Sequence, residues 1–131
     1  MRVSRDKESR YIYRDPYVAR VGQDTGAHAT ITLNAGGAFF QPLVLTLLVA
    51  EDKVLSKISN PRPVSIGPYP GDSLSAQTLA LLHEFGHVID LLPVDFDNED
   101  GKSMQNTAEV LRYCRAEIDS KGRRGTLHAA R

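Results

Sequence analysis

The residues His83-Glu84-Phe85-Gly86-His87 spell H-E-x-x-H inside the apolar run from Leu79 to Ile89. On a helix, positions four apart lie on one face, about one turn from each other. Two imidazoles at that spacing reach a single Zn2+ through their ring nitrogens. The glutamate after the first histidine then reaches a water on that ion and takes its proton. The chemistry is metal-assisted hydrolysis, with His83 and His87 as candidate metal ligands and Glu84 as candidate general base. The chain has 4 His in 131 residues. Chance placement at that composition yields the pattern in roughly half a per cent of chains. The bland competing account is two histidines and a glutamate on a partly exposed helix face, bonded to neighbours or water.

A catalytic zinc normally has three protein ligands plus water. The candidates for the third are Glu109, Asp90, Asp95, Asp97 and Asn106. Asp90 follows His87 by about a turn and suits a hydrogen bond to a histidine ring better than a bond to the ion. Asp95 and Asp97 sit in a loop beyond the helix and can fold back. Glu109 has the best architecture. It lies 22 residues after His87, early in a second helix over about 104–119 that Ser103 can cap. An antiparallel helix pair would bring it beside the histidines. The acidic loop 95–101 fails the calcium-loop template, because Asp100 stands where glycine is needed and Asn106 where glutamate is needed.

The elements that must position these groups are legible. Asp72 or Ser73 can cap a motif helix over 72–92, and Pro93 biases Leu92 out of the helical region. Leu74, Leu81, Leu82, Phe85, Val88, Ile89 and Leu92 recur at helical steps and are expected to face the core. Ala76, Ala80, His83, His87 and Asp90 fall on a different face. Gly86 costs about 1 kcal/mol against alanine in a helix; it reads either as room for another backbone to come close or as tolerated slack. Upstream, 29–33 alternates with period two, as a half-buried strand does. Short strands are also expected at 11–13 and 17–19, and 43–49 reads as a buried strand or a short helix, with length and branched residues favouring one strand. Asn34-Ala35-Gly36-Gly37 signals a turn, and 61–71, with Pro61, Pro63, Pro68 and Pro70, an extended loop. The fold class is α+β: a small twisted sheet packed on the motif helix, then a second helix. The expectation is one domain over 1–131, with 1–26 and 120–131 peripheral.

Formal net charge is zero, with 41% hydrophobic and 24% charged residues. No general electrostatic case for nucleic acid or an anionic membrane arises. Basic residues cluster near both ends and read as solvated termini. The single cysteine, Cys114, excludes an internal disulfide framework and reads as a small core residue. No run is as long as a membrane span. The start, Met1 to Glu8, is charged without an apolar h-region, which read literally means a cytoplasmic protein. Compartment and oligomeric state stay open.

His83-Glu84-Phe85-Gly86-His87 followed by Asn106-x-x-Glu109 resembles the zincin metallopeptidases, in particular the gluzincin branch. The metzincin version is excluded, since Pro93 and Asp90 stand where it needs histidine and glycine. The resemblance covers roughly 72–119. It implies a zincin-like fold, a Zn2+ cofactor, a peptide or protein substrate, and Glu109 as third ligand. The gluzincin pattern places asparagine directly before the glutamate, whereas Thr107 and Ala108 intervene here. The stretches Leu33 to Phe40 and Gly67-Pro68-Tyr69, with Ser103-x-x-Asn106 and Cys114, are also similar to small uncharacterised bacterial HELGH-type proteins. The ImmA/IrrE-type peptidases are a further similar family, though Glu109-Val110-Leu111-Arg112 lacks their E-x-x-A. Zincins align substrate along an edge strand, which points to 29–33. Tyr69, Tyr113, Arg112 and His128 are the candidate oxyanion donors. The alternative reading is a non-catalytic zinc-binding or partner-binding domain that keeps the H-E-x-x-H helix.

Overall fold

The computed structural model describes residues 3–5, 11–22, 28–45, 47–50, 53–57, 61–95 and 101–129. It is α+β, with small antiparallel sheets and two helices. The motif helix α1 spans Leu74–Val88. Ser73 is its N-cap, and its hydroxyl accepts from the Ala76 N–H at 3.1 Å. Asp72 instead takes a left-handed φ of 61°, and its N–H donates to Ala38 O at 2.9 Å.

The helix ends four residues before position 92, and hydrogen bonding rather than Pro93 ends it. Leu91 N–H donates to Gly86 O at 2.8 Å and Asp90 N–H to His87 O at 3.1 Å. Asp90 is left-handed, with φ 59°. Together these make a Schellman turn with Asp90 where glycine is usual. Gly86 serves this turn. A Cβ on it would lie 2.5 Å from Leu92 Cδ1, so its bare backbone lets Leu92 fold back onto the helix.

The second helix α2 spans Lys102–Ala129. It starts earlier than expected, so Ser103 lies inside it. Gly101, with φ 77°, makes the preceding bend. The helix also continues well past 119. Val110 and Ile118 are buried, and Leu111 and Cys114 pack against the core they join.

The strands are short. β1 (Val3–Arg5), β2 (Tyr11–Arg14), β6 (Leu47–Ala50) and β7 (Lys53–Lys57) form one antiparallel sheet in the order β1-β2-β6-β7. β3 (Ala19–Val21) pairs with β4 (Ile31–Leu33), so the alternating segment is a strand as expected. The strand expected over 43–49 is two: β5 (Leu43–Val44) pairs with β8 (Arg62–Pro63), while β6 belongs to the larger sheet. The proline-rich stretch is ordered into β8, β9 (Ser65–Ile66) and β10 (Tyr69–Pro70). The β9–β10 turn needs Gly67, which has φ 55° and whose Cβ would meet Leu79 Cδ2 at 2.8 Å. Asp15 clamps β8 from the other side, taking both 2.8 Å bonds from the Arg62 guanidinium.

The core joins Ala38, Phe39, Ile66, Ala76, Leu79, Ala80, Val110 and Ile118. This reverses the expected facing of α1. Its buried residues are Ala76, Leu79, Ala80, His83 and Gly86, whereas Leu74, Leu81, Phe85 and Ile89 are exposed. Only Leu82 and Leu92 of the expected face pack against the core. The reason is α2: two helices approach closely where side chains are small, and alanine and glycine line that side of α1. Among the described residues, no helix is long and apolar enough to cross a membrane.

Truncations will separate the two faces. Leu79, fully buried at 0% exposure, should cost about 2–5 kcal/mol as Leu79→Ala in denaturant unfolding. Phe85, at 51% exposure, should cost about 1 kcal/mol or less as Phe85→Ala. Equal costs would mean that the outer face is covered.

Candidate metal centre

His83 lies at the middle of the buried side of α1, 6% exposed, and His87 follows one turn later. Their ring centroids are 5.1 Å apart. Past the Schellman turn the chain doubles back and carries Asp95 to both rings. Asp95 Oδ2 is 2.8 Å from His83 Nε2 and Oδ1 is 3.0 Å from His87 Nε2. These two nitrogens and the carboxylate form the one group among the described residues whose donor atoms, all within 4.8 Å of one another, can hold a metal ion.

The donors fit such an ion. His87 Nε2 is buried and has no hydrogen-bond partner. Asp95 Oδ1 lies 3.0 Å away as an ion-pair contact without forming a hydrogen bond to it. A buried polar atom left unpaired costs free energy, and a cation between the three groups would satisfy it. Donors around one tetrahedral ion stand about 3.3 Å apart when the bonds are about 2.0–2.1 Å. The three donor groups lie within 4.8 Å of one another, near enough for one ion to replace the direct His83–Asp95 hydrogen bond.

The charges suit the same role. Burial pushes the Asp95 carboxyl up, but hydrogen bonds from His83 and Asn106 and the charges of both histidines outweigh it and hold it down at about 2. Asp95 is therefore an anion at neutral pH, as a ligand must be. Burial moves Glu84 the other way and raises its carboxyl above the ordinary range. The two histidines oppose that rise and Asp95 assists it.

A second set of residues supports the donors from α2. Thr107 Oγ1 is 2.9 Å from His83 Nδ1. The Asn106 amide donates to Asp95 Oδ2 at 3.0 Å and to Pro93 O at 2.9 Å. Asn106, weighed as a ligand, thus turns its amide nitrogen to the Asp95 carboxylate.

Glu109, the expected third ligand, is exposed on α2 and is not in the donor group. It follows Thr107 by two residues, about 200° round the helix. The face that brings Thr107 to His83 therefore turns Glu109 away. Asp90 is exposed at the helix cap rather than beside a ring. Asp97 and the rest of 96–100 lie outside the described residues, as does the side chain of His128. The Tyr69 hydroxyl donates to Asp119 at 2.6 Å, and burial, with that bond and charge, pushes its phenol up to about 12. Arg112 stacks over Tyr113, itself exposed, at 5.5 Å.

Thr107 was not among the residues singled out by sequence. No spacing rule connects it to His83, and only the α1–α2 packing does. The chain matches no protein-family profile, no curated protein and no solved structure, so the residues themselves carry the functional argument.

Two measurements test the centre. In competitive chelator titrations, Asp95→Asn should lose metal strongly while Glu109→Gln keeps the wild-type affinity. The reverse ranking would restore Glu109 as ligand. Gly86→Ala gains about 1 kcal/mol in helix propensity. Displacing Leu92 should cost about 1–3 kcal/mol, so the variant should be no more stable than wild type and should bind metal less tightly. A more stable variant with full affinity would show that Leu92 does not aim the Asp95 loop.

Proposed function

We propose that this protein is a zinc-dependent hydrolase of the zincin kind that cleaves peptide bonds, with His83, His87 and Asp95 as ligands and Glu84 as general base. The observation that carries the reading is the convergence of the Asp95 carboxylate on both Nε2 atoms, one of them buried and unpartnered. Two imidazoles and a carboxylate suit zinc. The same set suits Fe(II), but a carboxylate directly after the first histidine favours hydrolysis.

A zinc ion bound here would polarise a substrate carbonyl and make a water acidic near neutral pH. Glu84 supplies the proton handling. Its carboxylate takes a proton from the attacking water and returns it to the leaving amine. The raised affinity of Glu84 for a proton serves both halves of that task, since a base poised nearer neutrality both accepts and releases. Among the described residues β4 pairs with β3 alone, and an extended peptide could add to it.

One observation favours the second reading, a zinc-binding domain without turnover. A catalytic ion keeps an open position, and the donors here are nearly enclosed, His83 and His87 side chains being 8% and 13% exposed. One variant separates the two. Purified wild type should hold about one zinc per chain, and Glu84→Gln should keep that zinc. Cleavage of a peptide library by Glu84→Gln should fall by at least about 100-fold. Wild type that holds zinc yet cleaves nothing supports the non-catalytic domain. Cleavage unchanged in Glu84→Gln removes Glu84 from the chemistry.

A further inference from the structure

We propose that Thr107 and Asn106 are the positioning residues of the metal centre, so that α2, which supplies no member of the donor group, decides whether the donors from α1 and the following loop converge. The inference rests on the metal-centre reading and assigns a task to the helix face opposite it.

His83 has a different partner at each nitrogen: Asp95 at Nε2 and Thr107 at Nδ1. An ion takes the Nε2 lone pair, so the ring proton must sit on Nδ1. Thr107 Oγ1, at 2.9 Å, is the acceptor for that proton. A methyl in its place would bury an unpaired N–H. The hydroxyl is also a donor. With no ion bound, the proton can sit on Nε2 and be shared with Asp95, and Thr107 then donates to the bare Nδ1. Threonine therefore satisfies the ring in both states, which a carboxylate acceptor could not do. Its branched Cβ also leaves few rotamers on a helix, so the hydroxyl is held in place.

Asn106 acts on the other donor. It is 4% exposed, and its amide nitrogen bonds both Pro93 O and Asp95 Oδ2. The two contacts flank Val94 and fix the backbone and the carboxylate of the loop together. Leucine has a similar volume but no donors, and at position 106 it would leave Pro93 O and Asp95 Oδ2 without the amide while adding no charge.

The packing of α2 is carried by other residues, Val110 and Ile118 above all. This allows the positioning role to be separated from a merely structural one. Zinc affinity is measured on the full chain by chelator competition for wild type, Thr107→Val, Thr107→Ser and Asn106→Leu. Thermal unfolding of each metal-free protein is measured beside it. Long-range proton–nitrogen spectra of the zinc-loaded wild type report which His83 nitrogen carries hydrogen.

Thr107→Val and Asn106→Leu should weaken zinc binding by about 10–100-fold, and Thr107→Ser should restore most of what Thr107→Val loses. The spectra should show His83 protonated at Nδ1, with that hydrogen protected from exchange. Variants that melt earlier but bind zinc as wild type does would make the two residues a structural tie only, and the proposal would fall. So would zinc bound through Nδ1 of His83, a result that needs no variant to fold. Wild type that binds no zinc overturns the metal-centre reading itself, and this inference with it.

Discussion

One carboxylate placed between two imidazole nitrogens organises this molecule. Asp95 must remain ionised while partly withdrawn from water, which burial alone opposes. Hydrogen bonds from His83 and Asn106 supply the compensation. Reaching that position requires the chain to reverse within a few residues of His87. The Schellman turn at Asp90, the bare backbone of Gly86 and the folding back of Leu92 accomplish it. The residue that looks like a defect in the motif helix is thus what permits the turn.

The same constraint shapes the core. Placing His83 on the buried side of α1 forces the residues around it to be small, because α2 must come near enough for Thr107 to bond the ring. Ala76, Ala80 and Gly86 occupy that side, with Leu79 filling the space beneath Gly67. The large apolar residues Leu74, Leu81, Phe85 and Ile89 are left on the far side. In a helix that bears polar donors on its inner face, hydrophobic size does not report which face is inside.

That trade explains what could be read from sequence. His83, Glu84 and His87 announce themselves because their spacing is local and rare. Ser73 as cap and the strand at Ile31–Leu33 follow from side-chain chemistry and alternation. Periodicity weights leucine and phenylalanine and so points away from the inner face of α1, whose buried stripe is mostly alanine, glycine and histidine. The helix end was misread because Pro93 is conspicuous, whereas a left-handed aspartate is not. Glu109 drew attention through its distance from the motif and the pattern it resembles. Its orientation depended on the rotation of α2, which no local rule fixes. The α+β class followed from the mixture of periods, while the division of the strands among four small sheets depended on pairings between distant residues.

The proposed ligation by Asp95, rather than by a more distant carboxylate, has a physical consequence. All three donors fall between positions 83 and 95, so an ion would close only a short stretch of chain. The entropy of loop closure grows with loop length, and a ligand from deep in α2 would have cost more to bring in. A short stretch, however, has no rigid body to hold Asp95 in register once the helix has ended. On the proposed reading the centre takes that rigidity from α2 through two side chains, Thr107 and Asn106. Ligation would then be local while orientation is long-range, and the contact between the helices would set how well the three donors act as one site.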